Sequence, residues 1–363
     1  MRVPFLDLKR IDEELKNALK LRFADMLEEG IFSGGEEVTF LESQISSYLK
    51  STYSIACANG TDALELALRA IGIGYGDEVI VPAMTWVSTA EVVILARAKP
   101  VFWDTDEDGL LAADWEKAIT AKTKAIIPVH LYGKMVDMGK LMTIAKQYNL
   151  HVIEDGAQSF GSFQGGKAAG TFGDVGCLSF YPTKNFGALG EAGMCLTNNQ
   201  ELSERIKLLL NHGQEVRDKH EIVGRNSRID TIQAGFLNVI LEKFGSFQAI
   251  RKEYSKRYLL GLSGIEGLKL PKGILEEDHN AHFFVIQTSS RDELRNYLQS
   301  QGIGTAIHYP KILPEMKPFR SDGNFINANN LSQRGLSLPL NPWMQAEEID
   351  FVIEKIQEFF KKS

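Results

Sequence analysis

Between Tyr53 and about Leu196, short apolar runs alternate with stretches in which apolar positions return every three to four residues. The runs "YSIACA", "EVIVPA", "PVFWD", "KAIIPVH", "HVIED", "VGCLSF" and "GMCLT" predict strands. Several are apolar at consecutive positions, as strands covered on both faces are. Between them, "TDALELALRAIG", "STAEVVILARA", "DWEKAIT" and "MGKLMTIAKQYN" carry the helical spacing. This alternation predicts an α/β fold with a mostly parallel sheet flanked by helices.

The pattern then changes. "NQELSERIKLLLNHG" predicts another helix, and "NSRIDTIQAGFLNVILEKFGSFQAIRKEYSKRYLLGL" has the length and sparse turn signals of long helices. Beyond it, "AHFFVIQT" reads as a strand, "SRDELRNYLQSQG" as a capped helix with Gly302 at its end, and "AEEIDFVIEKIQEFFKKS" as a closing amphipathic helix. The expected division is a large domain over 1–246 and a small C-terminal α+β domain over 247–363, since 363 residues exceed most single cores.

Composition narrows the function. With 44% hydrophobic and 24% charged residues the chain is an ordinary globular one. A net charge of −7 without clustered Lys and Arg argues against a nucleic-acid surface and favours a small-molecule partner. Cys57, Cys177 and Cys195 form no CxxC pair and read as buried thiols. No run reaches signal-peptide or membrane-span length, so no membrane partner and a cytoplasmic location are expected.

Four local features carry chemistry. "NGT" at Asn59 to Thr61 ends a predicted strand and opens a helix, where unpaired N–H groups and the helix dipole can hold a phosphate; an ordinary cap by Asn59 or Thr61 is the plainer reading. "GIGYGD" resembles a dinucleotide fingerprint but follows a helix and precedes a strand, the reverse of that motif, so Gly72 and Gly76 read as turn residues. "HVIED" ends a strand in Glu154 and Asp155, where α/β sheets meet their ligands. Lys184 sits between apolar runs in "SFYPTKN", where a depressed pKa would let it form a Schiff base. A carboxylate for a pyridinium nitrogen, a lysine and a phosphate cradle are parts by which proteins hold pyridoxal 5'-phosphate.

The motifs "VPFLDLKR", "ANGTDALELAL", "VPAMTWVSTA", "PVHLYGK", "VIEDGAQSFG", "SFYPTKN", "NSRIDTIQA" and "GIGTAIHYP" occur in order across nearly the whole chain. Together they resemble the DegT/StrS family of pyridoxal-phosphate-dependent nucleotide-sugar aminotransferases, which have the fold-type I aminotransferase architecture. The resemblance implies that Lys184 bonds the cofactor, Asp155 faces the pyridine nitrogen and Gln158 lies near the phenolic oxygen. It implies that Trp86 stacks on the ring, where Phe or Tyr is usual. Gly60, Thr61, Asp62 and Ser179 would hold the phosphate, with Asn226 entering from a second subunit, which makes a homodimer with shared active sites. Gly156, "GEAGM" and Lys134 depart from the usual Ala, "GDGGA" and Gln, and none removes a catalytic group. Relatives with histidine at the lysine position dehydrate instead; Lys184 favours transamination.

The loop "HGQEVRDKHEIVGRNSR" and "HYP" resemble the branch that aminates 3-keto nucleotide sugars, especially 3-oxo-glucuronate derivatives of UDP-sugars. Arg228 would pair with a carboxylate or phosphate, and His308 and Tyr309 would touch the sugar. The expected reaction moves an amino group from L-glutamate to a keto group, at C3, of a nucleotide-linked sugar, for amino-sugar or polysaccharide biosynthesis including lipopolysaccharide. Amination at C4 and a non-catalytic, ligand-binding regulator are the alternatives.

Overall fold

The computed structural model describes residues 1–362. Seven strands form the main sheet: β1 Tyr53–Cys57, β2 Glu78–Pro82, β3 Lys99–Trp103, β4 Thr123–Ile126, β5 His151–Asp155, β6 Val175–Ser179 and β7 Gly193–Thr197. Each coincides with one of the predicted apolar runs. Their spatial order is β1-β7-β6-β5-β4-β2-β3, with β7 alone antiparallel to its neighbours. The carboxyl ends of the other six strands therefore share one edge of the sheet.

Helices cover both faces. They are α1 Glu13–Glu29, α2 Glu36–Leu49, α3 Gly60–Ile71, α4 Ser88–Leu95, α5 Met138–Gln147, α6 Gln200–Leu210 and α7 Thr231–Leu262. Alternation along the strands feeds two cores. Ile55, Cys57, Cys177 and Cys195 pack with α3 to α6 on one face, while Ala56, Leu178, Met194 and Leu196 pack with α1, α2 and the first half of α7 on the other. All three cysteines are buried and free. "DWEKAIT" forms only a 3-10 turn, Trp115–Ala118, whose start has no side-chain cap.

The long helical segment is one helix, α7, of 32 residues, or about 48 Å at 1.5 Å per residue. Residues up to Phe247 belong to the second core, and Tyr254, Tyr258 and Leu262 belong to a third. That third core also holds strands β8 Phe284–Gln287 and β9 Gly335–Leu338, an antiparallel pair, with α8 Arg291–Ser300 and α10 Ala346–Lys362; α9 Ile326–Arg334 precedes β9. Val3 joins it too, through Val3 N–H to the Gly302 carbonyl at 2.9 Å, so the N-terminus packs with the C-terminal elements. Position 247, the expected division, falls inside α7.

Candidate active site

The carboxyl edge of the sheet gathers most of the predicted residues. Gly60 and Thr61 follow β1, Trp86 follows β2, Asp155 ends β5 with Gln158 just beyond, Ser179 ends β6 and Lys184 follows it.

Lys184 lies on a turn anchored at both ends. Its N–H donates to the Tyr181 carbonyl at 2.8 Å, and the flanking Phe180 and Phe186 are fully buried among Phe160 and Phe244. The half-buried lysine is fixed by its neighbours' packing. Among the described residues no hydrogen bond or ion pair engages Nζ. Burial pulls its pKa down to about 8, with the Asp155 charge opposing.

Asp155 is buried on the central strand of the sheet. Its Oδ2 accepts from the Thr89 hydroxyl at 2.8 Å and Oδ1 from the Ala157 N–H at 3.2 Å. Burial raises its pKa, and these two donors and Lys184 pull the other way. Glu154, the adjacent strand residue, has a different task. Its carboxylate accepts from the N–H groups of Gly170, Phe172 and Gly173 and faces buried His130, which ties down the following loop.

At the start of α3, Asn59 Oδ1 accepts from the Asp62 N–H at 2.8 Å, so the plain capping role is real. The Asp62 carboxylate pairs with Arg225 at 2.5 Å. Asp62 is thus occupied at both its side chain and its N–H, while Gly60 and Thr61 stand at the helix end whose N–H groups have no intrahelical acceptor. A Cβ on Gly60 would lie 2.6 Å from Ser179 Cβ, so only glycine brings this turn against Ser179. The Thr61 and Ser88 hydroxyls are 2.8 Å apart. Gly72 ends α3 at φ 93°, the turn role read for it.

Trp86 is 57% exposed and its ring centre lies 5.6 Å from that of Tyr309. Gln158 Nε2 donates to the Tyr309 hydroxyl at 3.1 Å, and its Oε1 accepts from the Tyr132 N–H at 2.7 Å. His308 bonds Ser337 through Nδ1 at 2.8 Å and accepts at its carbonyl from the Tyr132 hydroxyl. Burial, then the Lys184 charge, lowers the His308 pKa to about 4, and burial raises that of Tyr309.

Asn226 is exposed, and Arg228 donates to Asn211 Oδ1. Ser227 between them accepts at its carbonyl from the Ala58 N–H at 2.7 Å, which sets the segment beside the turn that opens α3. Sequence reasoning missed Thr89, Tyr132, Asn185 and His282. Thr89, Tyr132 and Asn185 lie inside the quoted "VPAMTWVSTA", "PVHLYGK" and "SFYPTKN", whereas His282 lies in no quoted family motif.

The residues present fit a pyridoxal phosphate: an unengaged lysine amine near a buried carboxylate, beside a helix start pressed against a serine. Bound there, the cofactor supplies an aldehyde and an electron-accepting ring. The DegT/DnrJ/EryC1/StrS aminotransferase family matches residues 13–357. The chain belongs to this family. It is a pyridoxal-phosphate-dependent aminotransferase. It is 39% identical to the pleiotropic regulatory protein of Geobacillus stearothermophilus, over 99% of both chains. It is 38% identical to the UDP-N-acetyl-3-dehydro-alpha-D-glucosamine 3-aminotransferase of Acidithiobacillus ferrooxidans, over 96% of this chain and 95% of that one. The crystal structure of S. venezuelae DesV in complex with a ketimine intermediate superposes with a TM-score of 0.95 at 37% identity, covering 99% of this chain and 98% of that one.

Proposed function

We propose that this aminotransferase moves an amino group from L-glutamate to the C3 keto group of a nucleotide-linked sugar, supplying amino sugars for a glycan. The observation that carries the reading is the placement of Lys184, its Nζ unengaged, in the field of buried Asp155 at one sheet edge, in a chain akin to a 3-aminotransferase of a UDP-sugar. Lys184 would hold the cofactor covalently, and its Nζ, once free, would hold and move the proton that amino transfer requires. Asp155 keeps the ring nitrogen protonated. Gly60, Thr61, Asp62 and Ser179 would hold the phosphate, Gln158 would lie near the phenolic oxygen, Trp86 would wall the ring, and His308 and Tyr309 would line the sugar site.

The working unit in this reading is a cytoplasmic homodimer with shared sites, Asn226 and Arg228 serving the partner. Support comes from apolar side chains left exposed on and between α1 and α2: Leu21, Leu27, Ile31, Phe32 and Phe40. A regulatory role is the second reading, favoured by the name of the Geobacillus relative. The two separate on one experiment. The yellow purified protein should lose its colour when mixed with glutamate and regain it with a keto sugar nucleotide, whereas a binder would keep its spectrum.

A further inference from the structure

The residue after Lys184 has a fully engaged side chain. Asn185 Nδ2 donates to the Asn280 carbonyl and to Gln248 Oε1, each at 3.0 Å. A backbone carbonyl can only accept, so this end of the amide is the NH2 group and the other is the oxygen. That oxygen lies 3.0 Å from His282 Nδ1. Nδ1 must therefore donate, and the tautomer of His282 is dictated by the Asn280 carbonyl through one amide.

His282 is 2% exposed, and its ring centre lies 4.0 Å from Phe283, which stacks at 4.0 Å on His308. Burial holds the ring neutral, helped by the charge of Lys184, then Arg251, with the imidazoles of His308 and His279 also facing it. With Nδ1 protonated, Nε2 is bare. Arg251 Nη1 secures the same loop by donating to the carbonyls of Ala281, His282 and Leu340.

We propose that Asn185 and His282 are positioning residues for Lys184. The Asn185 amide fastens the lysine's turn to α7 and to the loop ahead of β8, and His282 keeps an uncharged ring in the lysine's field. The proposal rests on Lys184 being the residue that bonds the cofactor. Borohydride mapping of the labelled peptide tests that premise alone, since a label on another lysine defeats the premise whatever the variants do.

The test follows the pH midpoint at which cofactor-free protein takes up pyridoxal phosphate, read by absorbance. His282→Leu removes the donor to Asn185, so the loosened, better-solvated lysine should load with a midpoint raised by about half a unit or more. Its kcat should fall about tenfold with the glutamate KM little changed. His282→Asn places an amide N–H where Nδ1–H stood and should restore the midpoint. Asn185→Ala should reproduce the shift, and the double variant should add nothing, because the two side chains act as one unit. If His282→Leu fails to fold, Asn185→Ala and Gln248→Ala carry the same expectation. An unshifted midpoint in the folded variants, an additive double variant, or a His282→Asn protein as impaired as His282→Leu would overturn the proposal.

Discussion

The Thr89 hydroxyl donates to Asp155 Oδ2 at 2.8 Å and stands 3.1 Å from the Thr85 hydroxyl, so two buried threonines form a chain ending on the central carboxylate. A carboxylate only accepts, which fixes Thr85 as donor to Thr89. Because burial raises the Asp155 pKa, each donor favours the ionised form. Thr89→Val should therefore lower kcat by roughly tenfold, the share of one hydrogen bond to a charged group. Asp155→Asn should lower it by about a hundredfold or more, with a smaller effect on cofactor affinity. Equal activity in the Asn variant would remove Asp155 from the reaction.

Lys184, with its pKa near 8, should govern cofactor loading. The free amine attacks an aldehyde, so the loading rate should rise with pH and level off above about 8. Lys184→Ala should fold, since only a side chain on a turn is lost, and should neither transaminate nor retain the cofactor after borohydride reduction. A loading midpoint near the ordinary lysine value would contradict the buried environment.

The Arg228 fork can bind a carboxylate with two parallel hydrogen bonds, which a lysine cannot reproduce. Arg228→Lys should keep the affinity for nucleotide phosphates and lose preference for a 3-keto uronate over a 3-keto 6-deoxyhexose, measured by kcat/KM. Sedimentation at working concentration should give a dimer with a large apolar interface.

Acid should destabilise the fold. His279 and His308 take a proton near pH 6.5 when unfolded, but in the folded protein only at about 3 and about 4, because burial disfavours the charge. Between those values the unfolded chain binds more protons, so stability is lost as pH falls from about 6.5 and the loss from these groups is complete below about 3. The urea midpoint should drop between pH 7 and 4, and His308→Asn should flatten that slope.

The large sheet was legible because all seven strands sit in apolar runs bounded by turn formers, and Lys184, Asp155 and Gly60 lie in local motifs at strand ends. Other features depend on contacts distant in sequence. Asn185 and His282 are 97 positions apart and meet only because α7 and the loop ahead of β8 close over the lysine's turn. Arg225, 163 positions away, pairs with the carboxylate of Asp62, a contact that the motif "ANGTDALELAL" does not reveal. "DWEKAIT" has helical spacing but is too short to hold more than one turn without a cap.

The most direct test follows nitrogen. The enzyme would be mixed with 15N-labelled glutamate and a panel of 3-keto and 4-keto nucleotide sugars, and the products examined by mass spectrometry and NMR. The account predicts 2-oxoglutarate together with a nucleotide sugar carrying 15N on C3. Label on C4 alone, or glutamate left unchanged with every sugar of the panel, would contradict it.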